Sequence, residues 1–448
     1  MKTTEKIDIL ITGGTLLTLS GSMDVIEDAV VGISGGTIRF ACPRVEAPAS
    51  SPVETIDAAG CAVMPGLVNT HTHLPMTCFR GLADDLPLME WLHDHMFPAE
   101  AKHVNREMIY RGALLGMAEM IRSGTTTCCD SYFYESHVVQ AAVDAGVRIV
   151  AGHGFIDFSP PDVEELRKKT AAAEKFIAKW QTLSPMVSPS LFCHSAYTCA
   201  TETLQTVKRI ADEASVPFMM HLSETKEEVD LIGTRYGMRP VHYLEKIGVL
   251  GGKSAAIHCV WLDEGEMDLL AASGTGVCHC PESNMKLASG IARIPDLVNR
   301  GVAVGLGTDG CASNNDLDML LELDTMAKLH KVSTMNPTVM DAATALKIAT
   351  IGGARVLNLQ HLIGSVEPGK RADLIVLDMK KAHLTPLYHL YSQIVYACRG
   401  NDVRDVIIDG KVVMRNRMLL TLDVQKAMEG VREIAERVMK TEGERVRR

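Results

Sequence analysis

Between residues 61 and 309 the chain repeats one unit: a short apolar run closed by a polar residue, then an amphipathic stretch. The runs are CAVMPGLVNTH, GTTTCCD, VRIVAGH, VSPSLFCH, VPFMMH, SAAIHC, GTGVCH and GVAVGLGTD, eight in all. Between them, stretches such as NREMIYRGALLGMAEMIRSG and ATETLQTVKRIADEAS space their apolar residues at helical intervals. Strands that alternate with helices must pair in parallel through right-handed crossovers, and eight such units close on themselves. The expected fold class is therefore α/β, with a (β/α)8 TIM-type barrel over residues 63–363.

The two ends of the chain have another texture. IDILITGGTLLTL, AVVGISGGTIRF and VETIDAAG near the start, and RADLIVLD and VRDVIIDGKVVMRNRML near the end, are Val- and Ile-rich runs punctuated by Gly, Asp and Asn. Residues 1–62 and 364–420 are expected to pair into one small β-sandwich domain, because chain termini often lie close together. The patch CPRVEAPASSPVE reads as a surface loop within it, and residues 421–448 as a C-terminal amphipathic helix.

A net charge of −10 with no basic block excludes a nucleic-acid surface. The N-terminus lacks the apolar core of a secretory signal, and no apolar run is long enough to cross a bilayer. Twelve cysteines, dilute and set among apolar neighbours, read as reduced thiols of a cytoplasmic protein. The vicinal Cys128–Cys129 pair and the Cys278–His279–Cys280 cluster are weak metal candidates, having no second CxxC.

Catalytic groups of such barrels gather at the C-terminal ends of the strands. Here those ends carry His71 and His73, Asp130, His153, His194, His221, His258, His279 and Asp309. One histidine at a strand end is usually structural; a ring of them is hard to ascribe to packing. His71 and His73, two positions apart on the first strand, point the same way. With His221 from the fifth strand and Asp309 from the eighth they offer three imidazoles and a carboxylate, a donor set for one divalent ion, zinc being the expected one. Such an ion lowers the pKa of water from about 15.7 towards ~7. His258 is left to orient the attacking oxygen, and Glu224, three residues past His221, to move protons during removal of a ring amino group. The bland alternative for Glu224 is a helix N-terminal acid, since SETKEEVD resembles a capped helix start.

The order H-x-H, H, H, D along the chain resembles the amidohydrolase superfamily. Within it the chain is most similar to the 5′-methylthioadenosine/S-adenosylhomocysteine deaminases, through PGLVNTHTHLPMTCFRGLADDLPLMEWL, HLSETKEEV, HCPESNMKLASGIARIPDLVNRGVAVGLGTDGCASNNDLDML and GSVEPGKRADLIVLD. The resemblance implies one metal held by His71, His73, His221 and Asp309. It makes Glu224 the proton shuttle at purine N1, His258 the partner of the attacking water, and Asp309 an acceptor of the water proton. It sets Glu100, in MFPAEAK, against the ribose hydroxyls and His194 against the nucleoside. The fourth strand lacks the lysine that bridges two metals in other members, which favours a mononuclear site. The resemblance also implies self-association, so a homo-oligomer acting on a small-molecule nucleoside is expected.

Members that take S-adenosylhomocysteine can hold its carboxylate with an arginine at the end of the third strand. This chain has His153 there, counted among the substrate contacts, and Arg167 beyond it falls on the outer face of a helix. A guanidinium is the better carboxylate clamp. Methylthioadenosine, 5′-deoxyadenosine and adenosine are accordingly expected at or above the homocysteine adduct. The competing activities are aminohydrolysis of a guanine- or triazine-type ring, ring-opening amide hydrolysis, or deamination of an adenine nucleoside with another 5′ extension. A binding protein that had lost catalysis should show broken ligands, and none is broken. The unrelated zinc deaminase fold needs H-x-E and P-C-x-x-C, and the chain has CHCPES instead.

Overall fold

The computed structural model describes residues 5–158, 161–162 and 166–446, the side chains of residues 166–167 and 441–446 excepted. The eight expected runs form a closed parallel barrel. Its strands are β1 (Leu67–His73), β2 (Thr125–Tyr132), β3 (Arg148–Phe155), β4 (Val187–Cys193), β5 (Phe218–Leu222), β6 (Ser254–His258) and β7 (Gly276–His279), with β8 in two segments, Val304–Leu306 and Asp309–Gly310. Each pairs in parallel with the next, and β8 closes onto β1 through Leu306–Asn69, Asp309–Thr72 and Gly310–His73. No helix among the described residues is long and apolar enough to cross a membrane.

Alternation along the strands sorts the side chains into two shells. Val68, Cys129, Val150, Phe192, Met219, Ile257 and Cys278 form the barrel's inner core. Cys128, Ile149, Ala151, Leu191, Cys193, Met220 and Val277 pack outward against the helices. Period-two alternation makes this division, and it decides below which strand-end residues reach the mouth.

The chain ends build one continuous hydrogen-bonded sheet that curls around its own core of Ile9, Ile11, Leu16, Val31, Ile33, Ile38, Ile56, Leu374, Val376 and Ile407. The seam is Cys61–Pro65, antiparallel to Leu374–Asp378 and parallel to Glu5–Leu17. The run CAVMPGLVNTH is thus two strands: its first half belongs to this sheet and its second half is β1. The expected boundary at residues 62 and 63 falls inside Cys61–Pro65. Gly66 makes the break, because a Cβ there would lie 2.1 Å from the Thr126 side chain.

Residues 50–54, expected in a loop, open the strand Ser50–Asp57 instead, which pairs with Glu5–Leu17 on one side only. Pro52 is tolerated because its missing N–H costs nothing on an unpaired edge. The C-terminal helix, Val424–Val446, buries Ala427, Val431, Ile434 and Val438, one stripe at helical spacing, and packs on the helix Arg106–Arg122 and the turn Leu74–Phe79 that follows β1.

Candidate active site

Stepping by two from the inner core brings His194 from beside β4 and His221 on β5 into the barrel mouth. His71 and His73 arrive there because the β1–β2 register slips between Asn69 and Thr72. The His71 and His221 Nε2 atoms lie 3.2 Å apart. Asp309 Oδ1 lies 3.3 Å from His71 Nε2 and 3.4 Å from His73 Nε2. One nitrogen from each of His71, His73 and His221 falls within 4.8 Å of the others.

The surroundings orient these donors. The Ser131 carbonyl, 2.6 Å from His73 Nδ1, can only accept, so Nδ1 carries the proton and Nε2 turns its lone pair to the cluster. Ser283 and Ser313 donate to Asp309 Oδ2 at 2.7 and 2.8 Å, leaving Oδ1 to the imidazoles. Burial lowers His71 to about 4 and lowers His73 and His221 as well, so all three rings are neutral at neutral pH. Burial alone would raise the Asp309 carboxyl, but the His71 hydrogen bond and the nearby imidazoles hold it well below the usual carboxylate range. Ligand atoms bonded to zinc at ~2.05 Å in a tetrahedron stand roughly 3.3 Å from one another. Neutral imidazoles and an ionised carboxylate at this spacing fit a divalent ion.

Four residues at or beside the cluster hold a left-handed backbone. Ser223, His258, Cys259 and Asp309 all have positive φ, at +51°, +71°, +51° and +60°. Each such residue costs about 1–3 kcal/mol and persists only where its surroundings hold it. At His258 the twist has a visible consequence. Ile257 faces the inner core, so regular alternation would turn His258 outward; the left-handed backbone returns it to the mouth. Its Nδ1 is 2.9 Å from Asn284 Oδ1 and its Nε2 is 3.7 Å from Glu224 Oε2. Burial, then the negative charge of Asp309, raises the Glu224 carboxyl to about 8, so it is protonated at neutral pH.

The pocket above the cluster is lined by His73, Glu100, Ser131, Tyr132, His194, His221, Glu224, His258 and Asp309, with an apolar wall of Leu88, Trp91, Leu92, Phe97, Phe133, Phe155 and Ile156. Glu100 is buried, and the Tyr132 hydroxyl donates to its Oε1 at 2.5 Å. His194 Nδ1 is 3.0 Å from Thr198 Oγ1.

His153 is a correction. It shares the outward parity of Ile149 and Ala151, and its ring lies 5.5 Å from that of Phe176 on the helix Leu166–Leu183, off the pocket. Asp130 and His279 turn outward for the same reason. Asp130 accepts the Leu74 N–H at 2.6 Å, and His279 Nε2 meets His330 Nε2 at 3.1 Å. The Arg167 side chain lies outside the described residues. Three residues went unassigned from sequence. Asn284 was hidden inside the quoted HCPESNMKL, Tyr132 ends β2 next to inward-facing Ser131, and Glu228 completes the pattern Thr225-x-x-Glu that signals a helix cap.

The Amidohydrolase family model matches residues 62–413. A 5-methylthioadenosine/S-adenosylhomocysteine deaminase from Syntrophobacter fumaroxidans is 48% identical over 431 residues, spanning 96% of this chain and 98% of its own. A 5′-deoxyadenosine deaminase from Methanothermobacter thermautotrophicus is 43% identical over 425 residues, spanning 94% and 96%. Among solved structures, an adenosine deaminase from Xanthomonas campestris with bound zinc is 38% identical and superposes with a TM-score of 0.96, over 98% of this chain and 100% of that one.

Proposed function

The chain belongs to the amidohydrolase family, and from that premise we propose that it hydrolytically deaminates adenine nucleosides, converting 5′-methylthioadenosine, 5′-deoxyadenosine, adenosine or S-adenosylhomocysteine to the inosine derivative and ammonia. The observation that carries this reading is the buried Glu224 carboxyl facing His258 beside three clustered imidazoles and an aspartate at one barrel mouth. His71, His73, His221 and Asp309 would hold one divalent ion, expected to be zinc, which would supply Lewis acidity and bring the pKa of water from about 15.7 towards ~7.

The chain's own groups do the rest. Glu224 gives its proton to purine N1, which makes C6 electrophilic, and the carboxylate left behind recovers a proton from the new C6 hydroxyl as that becomes the carbonyl. Asn284 fixes the His258 ring with Nδ1 as donor, so that its Nε2 lone pair orients the attacking water. Asp309 accepts the proton that this water loses and passes it to the C6 amino group, which departs as ammonia. Glu100, steadied by Tyr132, takes a ribose hydroxyl, and this pair favours a ribosyl substrate over a bare guanine or triazine ring. His194 faces the nucleoside from beside β4.

Among the described residues lining the pocket there is no lysine or arginine, and the wall from Leu88 to Ile156 is apolar. Both support a small 5′ group over a charged homocysteinyl chain. A homo-oligomer is part of the proposal on family grounds and is read by sedimentation. The free, mostly buried cysteines are in keeping with a cytoplasmic setting.

The test is steady-state kinetics on a series of 5′-modified adenosines after chelation and reloading with zinc. Ammonia release that is lost with the metal and restored by it, with methylthioadenosine and 5′-deoxyadenosine at or above S-adenosylhomocysteine, is the expected result. Turnover of guanine or a triazine but of no adenine nucleoside would overturn the reading.

A further inference from the structure

The helix Lys226–Tyr236 follows β5 at once, and its N-terminus departs from the usual design. Thr225 is the N-cap, accepting the Glu228 N–H at 3.2 Å. In a capping box the Glu228 carboxylate would return to the Thr225 N–H. It reaches further back: Oε1 accepts the Ser223 N–H at 2.9 Å, and Oε2 accepts the Glu224 N–H at 2.8 Å. Glu228 is only 4% exposed, so a carboxylate has been taken out of water to grip two consecutive amides. Ser223, at φ +51°, holds the strained turn between them. Glu228 thus occupies the capping role that sequence offered to Glu224, whose own side chain lines the pocket.

We propose that Glu228 is the positioning residue of the proton shuttle: by clamping the Ser223–Glu224 amides it aims the Glu224 carboxyl at the reacting ring. This rests on the reading of Glu224 as the shuttle. Displacing a reacting group by about 1 Å costs on the order of 100-fold in rate. Glu228→Gln keeps one acceptor and sets an NH2 against the other amide, so Glu224 drifts while the rest of the pocket is untouched. An acid that merely capped its helix would change stability and leave kcat alone.

The experiment is a double-mutant cycle on the zinc-loaded enzyme, in single turnover with enzyme in excess so that slow variants are measurable. Glu228→Gln should lower kcat roughly 10- to 100-fold with KM within about twofold of wild type and unchanged zinc content. Glu224→Gln should lower kcat further, and the double variant should be no slower than Glu224→Gln alone. Glu228→Asp, which keeps the charge, should recover part of the rate, and it carries the same cycle should Glu228→Gln fail to fold. A wild-type kcat in the Glu228 variant, or its full rate loss repeated in the Glu224→Gln background, overturns the proposal. A wild-type rate in Glu224→Gln alone refutes the shuttle itself, an outcome distinct from either.

Discussion

The ribose contact proposed for Glu100 is strongest while that carboxyl is ionised, and Glu100 is held near its limit. Burial pushes it up to about 7, opposed by the Tyr132 hydroxyl. Above that pH the carboxylate accepts a charge-assisted hydrogen bond, worth about 1.5–3 kcal/mol; below it the group is protonated and the bond weakens. KM for nucleosides should therefore rise as pH falls through about 7, by roughly 10-fold or more, while Glu100→Gln has a high and pH-flat KM. Glu100→Ala should raise KM for nucleosides more than for free bases; equal effects would detach Glu100 from the ribose. The site was legible residue by residue wherever side-chain parity was regular. His221 and His194 stand an even number of positions from an inward neighbour and reach the mouth. His153 and His279 fail the same count and pack outward. His258 fails the count and still faces the pocket, because a backbone at φ +71° does not show in the sequence.

Elements were easier to read than their joints. Eight strands emerged because each is an apolar run closed by a polar residue, and the C-terminal helix because its apolar positions recur at helical spacing. The division of one run at Gly66 was not readable, since it depends on Thr126, sixty positions away, leaving no room for a Cβ. Nor was the role of the last helix, whose amphipathic stripe fits a docked arm and a solvated end equally well. Its partner is the helix Arg106–Arg122, with Arg111 Nη1 2.5 Å from Glu433 Oε2 over the buried Val431, Ile434 and Val438. The exposed ion pair adds little. The stripe supplies the hold, so Ile434→Ala should destabilise the protein by about 2–4 kcal/mol, and Glu433→Ala by less than about 1 kcal/mol. Urea denaturation followed by circular dichroism separates them. Because the same helix packs on Leu74–Phe79, just after His73, the Ile434 variant should also lose zinc at lower urea than wild type.

Across the whole molecule, the sheet built from the chain ends packs Met64, Ile375, Leu377 and Val406 into the apolar layer under the barrel's helices, and a buried cation ties the two parts together beside it. Arg148, at the start of β3 and 2% exposed, donates to both oxygens of Asp373 at 2.7 and 3.0 Å and to Asp409 Oδ1 at 3.0 Å. Asp373 precedes the strand Leu374–Asp378, and Asp409 follows Val403–Ile408, so a barrel residue closes two turns of the other sheet. The Asp409 N–H returns to Asp373 Oδ1 at 2.7 Å, and Arg371 Nε reaches Asp409 Oδ1 at 2.6 Å. Sequence offers no sign of this network, because Arg148 and Asp373 are 225 positions apart and each is an ordinary residue beside a strand. Removing the guanidinium would leave the buried Asp373 without a cation, while Asp409 keeps only Arg371. Arg148→Ala should therefore cost about 3–5 kcal/mol, the usual penalty for orphaning one side of a buried pair. Arg148→Lys should recover only part of this, since an ammonium cannot serve both Asp373 oxygens in one plane. The fold midpoint in urea reports the loss. At low urea the folded fraction should keep its zinc and its kcat, because the network lies at the opposite end of β3 from the pocket. A fall in kcat at full zinc occupancy would mean that the two sheets are coupled through the barrel, and that the chain-end sheet does more than brace it.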